Sequence, residues 1–275
     1  AVASVLRCSP LNRALELRGK KLINQFEALY KDKSNKEQVY QTFWEDNSLL
    51  IPRAFVQNHG IHMELVFRKF PLGTAYKSDF MFLTKSSSDW HAVHIEIEDP
   101  NKKIFTKNGC FTAEFNAAVQ QVNSWAGWLS HPKNQQTFET DIEIIKKPLG
   151  HNPVKHKFVL VYGRRNELNT QTKRDQFGAI KTADFSVMTY DSLFEANHKS
   201  LYVASYCEQK VKLLSAEPFT ECFFGFLNPA DFIVPKKMKK TVLEQLQIPT
   251  TGPWSTDRNR KMKEYFDKWQ SINTY

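Results

Sequence analysis

The feature that most constrains the fold is a run of four large apolar residues, Phe158-Val159-Leu160-Val161, set between polar flanks. Apolar at every position, it reads as the centre of a strand over 157–162 that is covered on both faces. Three strand-like runs precede it, at about 62–70, 78–84 and 92–98, and another lies near 185–189. The polar tract Lys85-Ser86-Ser87-Ser88-Asp89 separates the second and third runs as a hairpin loop does. Helical spacing of Leu11, Leu15, Leu22, Phe26 and Leu29 predicts a helix over 11–32. Ser34-x-x-Glu37 reads as a capping box that opens a second helix reaching about Glu45. A third helix is expected over 113–129, a short one before the last strand, and another at Tyr190-Asp191-Ser192-Leu193. From residue 34 the order is α-β-β-β-α-β-α-β, an α/β (α+β) chain with helices on both sides of a mixed sheet.

Three polar positions stand out in this frame. Asp79 ends Tyr76-Lys77-Ser78-Asp79 and precedes the apolar run Phe80-Met81-Phe82-Leu83. His94-Ile95-Glu96-Ile97-Glu98 alternates with period two, so a strand puts His94, Glu96 and Glu98 on one face. Gln121 lies on the third helix in the stripe Glu114, Ala118, Gln121, Trp125, where Ala118 allows close approach to the sheet. The hairpin brings Asp79 and Glu96 onto neighbouring strands. An aspartate and a strand glutamate about 15–20 residues apart form an arrangement that holds a divalent metal against a phosphate. Without a cation, clustered carboxylates repel and at least one pKa rises. The plainer reading of Glu96 and Glu98 is an edge strand with one wet face.

The run from Pro71-Leu72-Gly73 through Tyr76-Lys77-Ser78-Asp79-Phe80 to Ile95-Glu96-Ile97-Glu98-Asp99-Pro100 resembles the nuclease domain of Shedu, a bacterial anti-phage defence family. So does Thr112-Ala113-Glu114-Phe115-Asn116-Ala117-Ala118-Val119-Gln120-Gln121, closing on Trp125. Weaker likeness extends upstream to Lys36-Glu37 and Phe43-Trp44-Glu45-Asp46-Asn47, and downstream to Val161-Tyr162-Gly163-Arg164-Arg165 and Thr189-Tyr190-Asp191-Ser192-Leu193. The resemblance implies a PD-(D/E)XK restriction-endonuclease-like core over 34–195. An N-terminal helical segment, 1–33, precedes that core, and an extension, 196–275, packs on it or on another subunit.

The implied activity is a Mg²⁺-dependent DNA endonuclease, with Mn²⁺ able to substitute. It would act on double-stranded DNA as a homo-oligomer in the cytoplasm, under a regulatory protein partner. Asp79 and Glu96 are then metal ligands, Glu98 binds metal or activates water, and Gln121 orients the site. His94 and Glu114 are supporting positions, and Glu37 is the helix acid that can face the site, although capping already accounts for it. One departure matters: the superfamily usually has lysine two residues after the metal-binding glutamate, and here Glu98 stands there. Lys102, Lys103 and Lys107 follow closely as sources of the missing charge. The alternative this departure supports is an inactive nuclease-fold module for DNA binding or assembly. Arg164 and Arg165, at a strand end, suit either a bidentate grip on DNA phosphates or an ordinary basic rim.

A net charge of +9 and a pI near 9.2 suit a polyanionic partner. Cys8, Cys110, Cys207 and Cys222 are far apart with no CxxC pair, against a zinc finger or a disulfide framework and in keeping with a reducing compartment. His91 and His94 fall on opposite strand faces, which speaks against zinc. No apolar run approaches bilayer length, and the opening Ala-Val-Ala-Ser-Val-Leu-Arg is too short and mixed for a secretory signal. Glycine-rich phosphate loops, GxSxG and HExxH are absent from the sequence. Past residue 200 the sequence offers an aromatic cluster at 219–226, the basic run Lys236-Lys237-Met238-Lys239-Lys240, and two short helical patterns. The last starts near Ser255 and places Met262, Tyr265, Phe266 and Trp269 on one side.

Overall fold

A computed structural model describes residues 10–57, 61–62, 64–195, 201–216, 223–249 and 255–275, with the side chains of α1 described from Gly19 onward. Helices α1 (Pro10–Lys31) and α2 (Glu37–Asp46) precede β1 (Ile61–His62), β2 (Leu65–Leu72), β3 (Tyr76–Lys85) and β4 (Trp90–Ile97). Then α3 (Ala113–Ser130), α4 (Pro132–Asp141) and α5 (Glu143–Lys146) lead to β5 (Val154–Val161), and α6 (Gln171–Ala179) leads to β6 (Phe185–Met188). After α7 (Tyr190–Leu193) come β7 (Tyr202–Cys207), β8 (Lys210–Ala216), β9 (Phe232–Val234), α8 (Lys236–Leu246), α9 (Ser255–Gln270) and β10 (Asn273–Thr274). The strands join one mixed sheet in the order β10-β9-β8-β7-β2-β3-β4-β5-β6, with β1 pairing antiparallel to the end of β3. None of the described helices is long and apolar enough to cross a membrane.

The sheet separates two apolar layers. On one side Phe158 and Leu160 of β5 join Phe115, Ala118, Val122 and Trp125 of α3. On the other, Val159 and Val161 join Phe26 of α1, Tyr40 and Trp44 of α2 and Tyr190 of α7. The run that opened the sequence reading is therefore covered on both faces, as continuous apolarity requires.

Three sequence expectations are corrected. The capping box does not form: the N-cap of α2 is Lys36, and Glu37 is the first helical residue. Asp32 instead accepts from both the N–H (3.0 Å) and the hydroxyl (2.7 Å) of Ser34, a local turn that competes with capping. The first strand is not continuous over 62–70, because Glu64 is left-handed (φ 53) and separates β1 from β2. Beyond residue 200 the sequence reading has helices alone, whereas β7 pairs in parallel with β2 and carries the sheet onward through β8, β9 and β10. Cys8 and part of the aromatic cluster, 219–222, lie outside the described residues, while Cys110 and Cys207 are free and exposed.

The β2–β3 turn fixes the sheet against α3. Gly73 is left-handed (φ 56), and a Cβ added there would meet the Trp128 ring of α3 at 2.6 Å. Gly109 is also left-handed (φ 81) but has open space where its Cβ would be. Gly109→Ala is expected to cost about 1 kcal/mol of backbone strain, and Gly73→Ala about 3 kcal/mol because overpacking adds to it. Urea unfolding of both variants checks this; equal losses would show that the Trp128 contact yields freely.

Candidate active site

A fork in the sheet makes the site. The β3–β4 ladder runs from Lys85↔Trp90 to Phe80↔Ile95. Beyond it β3 stays with β2 (Phe70↔Ser78, Pro71↔Lys77), whereas β4 stays with β5 (Glu96↔Leu160, Ile97↔Val161). Where the strands part, Asp79 Oδ2 accepts the Ile97 N–H at 2.9 Å, so a side chain takes over from the lost backbone pairing. The Glu96 carboxyl lies close enough to that of Asp79 for the aspartate to raise its pKa. Glu98 follows, with its N–H bonded to the Val161 carbonyl at 3.0 Å. The three residues are only 2, 6 and 7 % exposed.

Four elements furnish the surroundings. Thr112 caps α3, accepting the Phe115 N–H at 3.1 Å and donating to the Lys103 carbonyl at 2.6 Å. Buried Ala118 seats that helix on the sheet, and Gln121, one turn on, donates Nε2–H to Glu96 Oε1. Asp99-Pro100-Asn101-Lys102 is a turn closed by Lys102 N–H to the Asp99 carbonyl at 3.0 Å, with proline at its favoured second position. This turn brings the Lys102 ammonium back to Glu98. From β2, Lys69 donates to Asp79 Oδ1. Glu37, at the start of α2, feels the charges of both Asp79 and Glu98.

The carboxyl groups record this crowding. Glu96 is pushed well above the usual carboxylate range, first by burial and then by the nearby Asp79. Glu37 is also raised, by burial first and then by Asp79 and Glu98. For Lys102 burial works against the charge, but the bond to Glu98 outweighs it and the net shift is upward. Among the described residues, no group of three or more His, Cys, Asp or Glu side chains is arranged to hold a metal ion. Asp79 and Glu96 are the buried pair whose charges bear most on each other, while Glu98 is ion-paired with Lys102. The pair fits a hard dication: it offers oxygen donors, and its repulsion is what a cation relieves.

The family model described as Shedu protein SduA, C-terminal, matches residues 34–194. The chain belongs to the Shedu family. No curated protein matches it. The match takes in Glu37, Lys69, Asp79, Glu96, Glu98, Lys102 and Gln121, and ends at α7. Strands β7 to β10 lie outside it yet continue the Shedu sheet.

Other residues singled out in the Shedu sequence sit elsewhere. His94 is on β4 but deep in the core, stacked on Phe158 and bonded to His156 at 3.0 Å. Glu114 is exposed in the first turn of α3, where an anion suits the helix N-terminus. Lys103 is exposed and reaches Glu167 at 3.4 Å. Arg164 is committed inside the chain, to Asp191 (2.9 Å) and Glu27 (2.6 Å), and lies over the Phe26 and Tyr30 rings. Arg165 pairs with Glu195. These arginines tie α1, α7 and the β5 exit together, so a phosphate there would compete with Asp191, Glu27 and Glu195. The residue that sequence reasoning missed is Lys69. Its only signal is the adjacent pair Arg68-Lys69 in a strand that otherwise reads apolar.

Proposed function

We propose that this Shedu domain is a metal-dependent endonuclease that hydrolyses phosphodiester bonds of double-stranded DNA in defence against phage. The observation that carries the reading is the buried Asp79–Glu96 pair at the sheet fork. Two buried carboxyl groups that feel each other's charge burden the fold, and a divalent cation gives them a purpose. The order α2, β2, β3, β4, α3, β5, α6, β6 supports a PD-(D/E)XK core, with α4 and α5 inserted before β5.

Asp79 and Glu96 would hold Mg²⁺ or Mn²⁺, which when bound supplies Lewis-acid charge to the phosphate. Gln121 holds Glu96 in place through its amide. Glu98, once released from Lys102, would take a proton from the attacking water. Lys69 and Lys102 are each more than a third exposed and give the approach a positive rim, in keeping with a net charge of +9. A homo-oligomer would place two such sites on opposite strands.

Plasmid and linear DNA incubated with Mg²⁺ or Mn²⁺ test this. Cutting by the parent chain, lost in Asp79→Ala and Glu96→Ala, is the expected result. DNA retained but intact in every lane would favour the inactive binding module, which the Lys102–Glu98 pair and the absence of a closed metal cluster among the described residues already support.

A further inference from the structure

Lys69 stands in the middle of β2 with a left-handed backbone, φ 46. The other described non-glycine residues with positive φ, namely Phe55, Glu64, Glu208 and Gln209, all lie outside strands. The register puts Lys69 directly across from Asp79, since Arg68 pairs with Phe80 and Phe70 with Ser78. The backbone has a reason for this conformation. Phe67 and Phe70 both join the apolar layer under α3 and meet edge-on at 5.6 Å, although residues three apart on a regular strand face opposite ways. A left-handed residue between them resets the alternation. Glycine or asparagine fills such a position with little or no strain, yet the chain has lysine there. The ammonium of that lysine reaches Asp79 Oδ1 from a side chain that is 41 % exposed. Strain held at a site and spent on one particular side chain marks function rather than packing.

We propose that Lys69 is a tethered cation for the Asp79–Glu96 pair. It occupies Asp79 in the metal-free domain, gives way to the divalent metal, and then faces the phosphate with the positive charge that Glu98 cannot supply. The inference rests on the endonuclease reading above. It predicts that Lys69 and metal compete for one carboxylate, so loss of the ammonium strengthens metal binding while weakening catalysis.

Lys69→Gly tests this cleanly, because glycine accepts the left-handed backbone and removes only the side chain. Its melting temperature is expected to stay within a few degrees of the parent's, relief of backbone strain offsetting the lost ion pair with Asp79. Its Kd for Mn²⁺ alone, read by titration calorimetry, is expected to fall about tenfold as the competing charge disappears. Its cleavage kcat is expected to drop about 100-fold, with partial recovery in Lys69→Arg. Unchanged or weaker Mn²⁺ binding in Lys69→Gly, or cleavage at the parent rate, overturns the proposal. Failure of the endonuclease reading looks different: the parent chain does not cut, or Asp79→Ala still binds Mn²⁺ as the parent does. Tighter Mn²⁺ binding by Lys69→Gly in a parent that does not cut upholds the competition at Asp79 and removes the catalytic half.

Discussion

Glu96→Gln is expected to lower metal-dependent cleavage by about 10³-fold or more while raising the melting temperature. Glutamine is nearly isosteric: it keeps the acceptor used by Gln121 and can donate to Asp79, but carries no charge. The sign follows from linkage. Burial and Asp79 raise the Glu96 pKa, so the folded chain holds this proton more tightly than the unfolded chain, whose carboxyl titrates near 4.5. Stability from this group is thus fully present below that value and is lost as pH rises toward the folded pKa. Removing the carboxyl removes the loss, and the gain at neutral pH is about 1–2 kcal/mol, or a few degrees in a chain of this size. The gain should be larger at pH 8 than at pH 5. Calorimetric scans at both values, run beside the cleavage assay, check it. A natively folded Glu96→Gln chain that melts lower than the parent at pH 8 would show that the buried carboxyl is not a burden.

The same tension explains which parts of the molecule could be read in advance. Continuous apolarity at 158–161 and alternation at 94–98 are local patterns, and the structure makes them β5 and the end of β4; β4 is an interior strand with His94, Glu96 and Glu98 all buried, which corrects the edge strand with one wet face. The 85–89 loop marks the hairpin that makes Asp79 and Glu96 neighbours, so the contact at the fork was within reach of the sequence. Glu37 was misjudged because Ser34-x-x-Glu37 has the form of a capping box, and nothing local shows that Asp32 captures Ser34 first. Lys69 was hidden for a related reason: neither its left-handed backbone nor its partner across the ladder is encoded by neighbours in sequence. The β7–β8 hairpin turns on Glu208-Gln209, both with positive φ, where Asn-Gly would have announced a two-residue turn. The ion pairs of Arg164 and Arg165 could not be read in advance because their partners, Glu27, Asp191 and Glu195, are about 26 or more residues away and only the fold collects them.

Acid is expected to weaken the domain between about pH 6.5 and pH 4 through a buried histidine chain. Glu139 Oε1 accepts from Gln135 Nε2 at 2.9 Å, which turns the Gln135 oxygen toward His156 Nε2 at 2.6 Å. His156 must therefore carry its proton on Nε2, leaving Nδ1 to accept from His94 Nε2 at 3.0 Å. Both rings are neutral in this arrangement, and a second proton on His156 would force His94 to move its own proton to Nδ1, a buried nitrogen with no partner among the described residues. Burial lowers both pKa values, that of His94 further by the charge of His156, and that of His156 to about 4 against the opposing pull of Glu139. The unfolded chain takes up these protons near pH 6.5 and the folded chain does not, so stability present above pH 6.5 is lost as pH falls toward 4. The slope is about 1.4 kcal/mol per pH unit for each histidine, or about 3 kcal/mol from His156 across the window. That is a large share of the roughly 5–15 kcal/mol that holds a typical domain. Asp89, whose pKa is held near 2 by Lys155, keeps its contribution until lower pH and does not confuse the reading. Glu96 acts in the opposite sense, so the comparison must be parent against His156→Gln, which keeps a donor and an acceptor without titrating. Urea unfolding at pH 7.5, 6 and 4.5 should show the parent losing more stability than His156→Gln over that range. Parallel losses in the two chains would acquit the histidines and assign acid sensitivity to the carboxylates.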